Sequence, residues 1–311
     1  ISFLCVINFF AYLIILGGVP NDNSTAYYPY AIFMFFSYVL AKTITRKELQ
    51  LLLLFFVIDV FVGLAEYQKG IASFWNVDIS FDESSDLLYF RRICGINNNS
   101  SNFAEKMLLG FIIIYLIKPK FKYLYVIILL IGLIISFNRS AIIASTPLLL
   151  YFIYQYIKTG GTFRKMIFFV VLCVIVCFII IFLLPLIIEQ FFRGNNDTTA
   201  ALTSRDIIWK EFLDFFYDNP ITGNGSVKMR SSAGQHAHNS YIWVLASNGI
   251  IIALLYYYYT LRFINRYNFI PILSIMLTSI TQSTIYWGLS NADIFLFILI
   301  LHCHSKISHG K

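Results

Sequence analysis

Two histidines flank a single alanine in the run His236-Ala237-His238-Asn239-Ser240-Tyr241, where a polar stretch meets the apolar span from Ile242 to Leu261. Imidazole titrates near neutral pH, so a ring at the edge of such a span suits proton transfer. Arginines recur in the segments assigned below to that same side of the bilayer: Arg91 and Arg92 late in a long loop, Arg139 in a tight corner, Arg205 where a helix starts. A guanidinium stays cationic and grips phosphate oxygens two at a time. A base among such groups points to chemistry on an anionic, lipid-linked substrate.

Each residue also has a plainer reading. Arg91 and Arg92 either bind phosphate or hold a headgroup or a loop carboxylate such as Asp82 or Asp86. Arg139 stands in Ser136-Phe137-Asn138-Arg139-Ser140, between two apolar runs. A charge at mid-bilayer costs about 2.5–3.5 kcal/mol and less near the surface, so Arg139 either snorkels to lipid phosphate or takes a ligand. Arg205 pairs with a nearby acid or joins free helix N–H groups in attracting an anion. His238 is a base or a helix-end contact, and Asn239 orients its ring or caps the helix. His236 and His238 find no third metal ligand at matching spacing, so no metal is expected. Asp59, Glu105 and Asp293 fall in or near apolar spans and keep a proton-coupled transporter as a rival.

The elements that must position these groups are membrane helices. Apolar residues make up 59% of 311 and charged residues 13%, against roughly 25% charged in soluble domains, and the mean hydropathy is +0.73. The apolar runs are continuous rather than alternating, which excludes a barrel. About ten transmembrane helices are expected, over 1–19, 28–41, 49–66, 103–117, 123–137, 140–157, 166–188, 239–261, 269–286 and 292–303. Residues 1–311 then form a single transmembrane domain of all-α, polytopic class. Ile1 is not a methionine and already lies in an apolar run, which leaves open whether helices precede it.

Basic residues set the orientation. Lys42-Arg46-Lys47, Lys118-Lys120-Lys122, Lys158-Arg164-Lys165, Arg262-Arg266 and the tail fall on one side, taken as cytoplasmic. The long loops 67–102 and 189–237 are then outside. In the second, Thr203 with Asp206 matches a capping pattern, and Ile208, Phe212, Phe215 and Phe216 form an apolar stripe. This gives a surface helix that Asn219-Pro220 ends, followed by the turn Gly223-Asn224-Gly225. The net charge of +7 is spread as retention signal and lipid contact, with no stripe for nucleic acid. The five cysteines give no disulfide framework, and no nucleotide-binding motif is present.

Four segments in order resemble the O-antigen ligase and polymerase superfamily of bacterial membrane glycosyltransferases. They are Arg91/Arg92 with Gly95 and the Asn-rich run to Phe103; Ser136-x-x-Arg139-Ser140; Ser204-Arg205 with Trp209 and the later Pro220-Ile221-x-Gly223-x-Gly225; and His238-Asn239-Ser240-Tyr241 with Asn248-Gly249-Ile250. Ser140 stands where glycine or alanine is frequent, and the resemblance covers about 90–260. It implies a GT-C-like architecture with its large outer loop carrying the surface helix. It further implies inverting, metal-independent transfer of glycan from undecaprenyl pyrophosphate, at the outer face of the inner membrane, without cofactor. His238 is the implied base, and Arg139, Arg205, Arg91, Arg92, Asn239 and His236 bind substrate. The expected partners are the lipid-linked oligosaccharide and membrane lipid, with room for a chain-length regulator protein. A repeat-unit polymerase of O-antigen or capsule is preferred over a ligase acting on lipid A-core or protein, because the outer loops are moderately short.

Overall fold

In the computed structural model, the described residues are 1–16, 33–69, 93–97, 99–161, 205–286 and 288–308. Among them the regular structure is helical throughout: α1 (Ser2–Leu16), α2 (Met34–Thr43), α3 (Arg46–Lys69), α4 (Ser100–Ile117), α5 (Lys122–Ile135), α6 (Arg139–Thr159), α7 (Arg205–Asp218), α8 (Ser240–Arg262), α9 (Phe269–Ser279) and α10 (Asn291–Ser308). Four of these, α3, α4, α6 and α8, are long and apolar enough to cross a membrane. The expected helix over 166–188 lies outside the described residues. Ile1–Thr45 with Ser204–Lys311 forms one compact unit and Arg46–Thr203 another, where the sequence reading expects one domain.

In the unit from Arg46 to Thr203, α4 is the core. Its Phe103, Met107, Leu108, Leu109, Phe111 and Ile112 are fully buried against α3, α5 and α6. The outer face of α3 instead exposes Leu51, Leu54, Phe55, Ile58 and Phe61. A contiguous apolar stripe of that kind has lipid as its natural solvent. Two carboxylates on the inner face hold the chain that precedes α4. Asp59 is fully buried and accepts from Ile96 N at 2.6 Å and Asn97 Nδ2 at 3.3 Å, while pairing with Lys106 Nζ at 3.0 Å. Glu66 accepts from Gly95 N at 2.8 Å and Cys94 N at 3.2 Å. Gly95 takes φ +60°, and a Cβ there would lie 2.2 Å from Asp59 Oδ1. The glycine of the Arg-x-x-Gly segment is therefore what lets the chain close over this carboxylate.

In the other unit, α2 packs on α10, α7 on α8, and α1 on α8. Asp293 is fully buried in the first turn of α10. It accepts from Tyr286 N at 2.7 Å, Gly288 N at 3.1 Å and Ser290 Oγ at 2.9 Å, so it ties the preceding chain to the helix start.

Two expectations need correction here. The ninth span, expected over 269–286, stops at Ser279. There Ser279 Oγ donates to Ile275 O at 2.7 Å, and Ser279 Oγ and Thr284 Oγ1 meet at 2.6 Å. Ser240 Oγ then takes Thr284 N at 2.9 Å and Ile285 N at 3.2 Å. The first outer loop, expected over 67–102, is shorter at both ends, because α3 runs to Lys69 and α4 starts at Ser100.

Candidate functional site

The His238 segment is held from three sides within one unit. In α7, Ile208 and Phe212 are buried and Phe215 packs edge-on against Phe212 at 5.8 Å, the stripe read from the sequence. Trp209 on the same helix donates from Nε1 to Ala237 O at 2.7 Å. That bond fixes the peptide between the two histidines to α7 and brings Arg205, one turn back, to bear on His238.

The second side is the start of α8. Asn239 is buried and caps the helix, its Oδ1 accepting from Tyr241 N at 2.9 Å and Ile242 N at 3.1 Å. His238 precedes it with φ +49°, a left-handed backbone that costs a non-glycine residue roughly 1–3 kcal/mol. Ser240 Oγ donates to Gln282 O at 3.1 Å, which brings Gln282 beside the segment, where it acts on the His238 ring. Gln282 is thus the third side.

Below this rim α8 is broken at Gly249, which has φ +74° and ψ 174°. The apolar run is interrupted at this point by Ser247-Asn248-Gly249. Lost helix bonds here are replaced by the turn that follows α7. Asn224 N donates to Ala246 O at 2.9 Å, Ser226 N to Ser247 O at 2.8 Å, and Ile250 N to Pro220 O at 2.8 Å. Asn8 of α1 joins, its Nδ2 donating to Thr222 O at 2.7 Å. Irregular backbone among apolar helices survives only where protein satisfies it. A Cβ on Gly249 would lie 2.0 Å from Ile221 O, and one on Gly223 2.5 Å from Gly249 N. The Pro-x-x-Gly-x-Gly turn and the Asn-Gly after the histidine are two halves of one joint.

The electrostatics around the rings are cationic. Burial, and then Arg205, push the His238 pKa below its ordinary value, with the Gln282 bond acting the other way. Burial, followed by Lys228 and Arg230, pushes His236 down to about 4. Burial and Arg230 also lower Lys228. Both imidazoles are therefore neutral at pH 7, and the ring of His238 is a base on which Arg205 acts.

Of the residues singled out in the sequence, Arg205, His236, His238 and Asn239 come together in this unit. Arg139 opens α6 in the other unit, where Asn138 caps the helix by accepting from Ala141 N at 3.0 Å. Arg91 and Arg92 lie outside the described residues. Sequence reasoning missed Gln282, Lys228 and Arg230. Nothing near Gln282 carries a pattern; Lys228 and Arg230 alternate along an extended stretch two turns before His236, a weak signal.

A family model described as O-antigen ligase matches residues 124–257, a range that holds Arg139, Arg205, His236, His238 and the joint at Gly249. No curated protein and no solved structure matches the chain.

Proposed function

We propose that this multi-pass membrane protein, whose residues 124–257 belong to the O-antigen ligase family, polymerises surface-polysaccharide repeat units. It takes glycan from a polyprenyl-pyrophosphate carrier and passes it to a sugar hydroxyl at the outer face of the bacterial inner membrane. The family match carries a ligase or polymerase type of activity; the donor, the stereochemistry and the choice of polymerase are our reading. The observation behind it is a neutral imidazole that Arg205 acts upon at the start of an apolar helix.

The acceptor oxygen attacks the anomeric carbon while its proton passes to the free ring nitrogen of His238. The bond from that carbon to the pyrophosphate oxygen breaks, and the departing polyprenyl pyrophosphate keeps the electron pair. Attack opposite the leaving group inverts the carbon. A placed base is worth roughly 10²–10⁴ in rate, and one fixed cationic donor to the leaving group roughly 10²–10³. Arg205 suits the second role and Lys228 with Arg230 extends the positive field. The energy is already stored in the donor, so nucleotide and metal have no required part.

The second reading is a ligase handing the finished glycan to lipid A-core or protein, which needs the same donor and the same base. A proton-coupled transporter gains little support, since the oxygens of Asp59 and Asp293 are engaged with backbone and side-chain donors. Gel analysis of surface glycan from a deletion strain separates the three. Single repeat units on core are expected. Bare core with long lipid-linked chains would establish the ligase instead, and lipid-linked units stranded on the cytoplasmic leaflet would overturn both in favour of transport.

A further inference from the structure

α8 does not run on past Gly249 in a straight line. Tyr257 OH donates to Tyr241 O at 2.9 Å across sixteen residues, and the two rings lie 5.8 Å apart. Sixteen residues of straight helix would span roughly 24 Å. The half of α8 after Gly249 therefore folds back towards the half that follows His238. Tyr286 fills the crook. Its ring lies 6.3 Å from Tyr241 and 4.8 Å from Tyr256, and its OH meets Thr260 Oγ1 at 3.0 Å. Ile285, the residue before it, donates its N–H to Ser240 Oγ, so Tyr286 stands beside the histidine segment.

Tyr286 is also the floor of a cavity of about 520 Å³ in the same unit, walled by α2, the folded-back half of α8 and α10. That volume lies in the range of roughly 300–1,000 Å³ that ligand sites occupy. The floor is buried, with Tyr256, Thr260 and Tyr286 at 2%, 4% and 1% exposure. The mouth is apolar and open, with Phe35 59% and Tyr259 43% exposed. A rim of that kind faces lipid in a membrane protein. Asp293 is the only acid in the lining, and its oxygens are taken by Tyr286 N, Gly288 N and Ser290 Oγ. No Lys or Arg lines the walls. Hydrocarbon suits such a space; a phosphate or sugar would be stripped of water there without partners.

We propose that this cavity holds a stretch of the donor's isoprenoid tail, taken in from lipid past Phe35 and Tyr259 and seated against Tyr286. This rests on the reading of the donor as a polyprenyl pyrophosphate. Hydrocarbon gains little by leaving lipid for an apolar wall as such, so the fit of the walls selects the occupant. An isoprenoid carries a methyl branch and a double bond in every unit, and is thicker and stiffer than a bilayer acyl chain. The walls match that shape. They are rigid and aromatic, with Tyr38 and Phe297 edge to face at 5.8 Å opposite the tyrosines of α8. Position favours the same occupant. The floor is one residue from a backbone bond to Ser240, and an ordinary bilayer lipid has no cause to be seated beside the histidine segment. The pyrophosphate stays outside, since the cavity offers it no cation.

The test is photolabelling of the full chain in membrane vesicles with two probes. One is a polyprenyl pyrophosphate with a diazirine in its tail, the other phosphatidylglycerol with a diazirine in an acyl chain. The first is expected to label the peptides that carry Phe35 and Phe297, unlabelled polyprenyl pyrophosphate to remove that label, and excess phosphatidylglycerol to leave it. Ile300→Trp, which fills the space from a half-buried place in the wall, is expected to cut the labelling about tenfold. Should that variant be lost from the membrane, Phe35→Ala at the exposed mouth is expected to cut it about threefold. Equal labelling by the phospholipid probe would overturn the proposal in favour of ordinary bilayer lipid. Absence of label from both probes would overturn it in favour of a cavity that protein fills. Labelling reads binding without transfer, so the two readings fail separately. Glycan transfer by a protein whose cavity stays unlabelled sinks this inference alone; a labelled cavity in a protein that transfers nothing from a polyprenyl-linked donor supports the tail site and sinks the transfer reading.

Discussion

α6 and α8 start on the same backbone, and the reasons for that backbone differ. Each has an asparagine N-cap, Asn138 or Asn239, and each cap follows a left-handed non-glycine residue, Phe137 at φ +48° or His238 at φ +49°. At Phe137 the conformation has a local cause. α5 ends at Ile135, Ser136 is its C-cap, and Phe137 N donates to Ile134 O at 3.0 Å, so the residue sits where helices commonly turn left-handed to stop. No helix ends before His238, because the chain from 227 to 237 is irregular. The left-handed backbone at His238 thus has no such local cause.

The sharpest way to break this comparison is to remove both left-handed side chains. His238→Ala is expected to lower glycan transfer by about 10²–10⁴, and Phe137→Ala to leave it within about threefold, as initial rates on equal amounts of membrane protein will show. A similar loss in both would mean that the two turns do the same work. Next in size is the joint beneath His238. Gly249→Ala combines a left-handed backbone with a clash against Ile221 O, and is expected to cost roughly 3 kcal/mol or more, read as loss of folded protein from the membrane. Smaller still, Asn138→Ala and Asn239→Ala are each expected to cost about 1 kcal/mol of stability in detergent melts. Only the second should also slow transfer, since only there does the cap aim a reacting ring.

A separate effect is on stability against pH. His236 has its pKa lowered to about 4 in the folded protein and near 6.5 when unfolded, so the unfolded chain binds the extra proton first. Stability is expected to fall as pH drops from about 6.5 towards about 4 and to level below that. His236→Asn should flatten this part of the melting profile; an unchanged slope would show that the ring is not buried neutral.

Much of the scaffold was readable from hydropathy alone. Lipid demands long apolar helices, and α3, α4, α6 and α8 lie within three residues of their expected ends. The helix α7 declared itself through the stripe of Ile208 and Phe212, and Asn239 through its position ahead of an apolar run. The break at Gly249 left only the short interruption Ser247-Asn248-Gly249 in an otherwise apolar span, because the turn that replaces its hydrogen bonds lies over twenty residues earlier. The early end of α9 and the role of Gln282 were hidden for a related reason. Both depend on Ser240, some forty residues away, and long-range hydrogen bonds leave no local period. Arg205 and His238 were each visible as types; their closeness depends on the Trp209 bond to Ala237, which no spacing encodes.

The most direct test of a neutral His238 acting as base beside Arg205 is the pH dependence of glycan transfer in wild-type, Arg205→Ala and His238→Asn protein, the last because asparagine tolerates the left-handed backbone and carries no base. The wild-type rate should rise through a midpoint below 6.5, Arg205→Ala should bring that midpoint up towards 6.5 at a lower plateau, and His238→Asn should leave a residual rate with no such limb. A His238→Asn protein that transfers glycan at the wild-type rate, with the limb in place, would contradict the account.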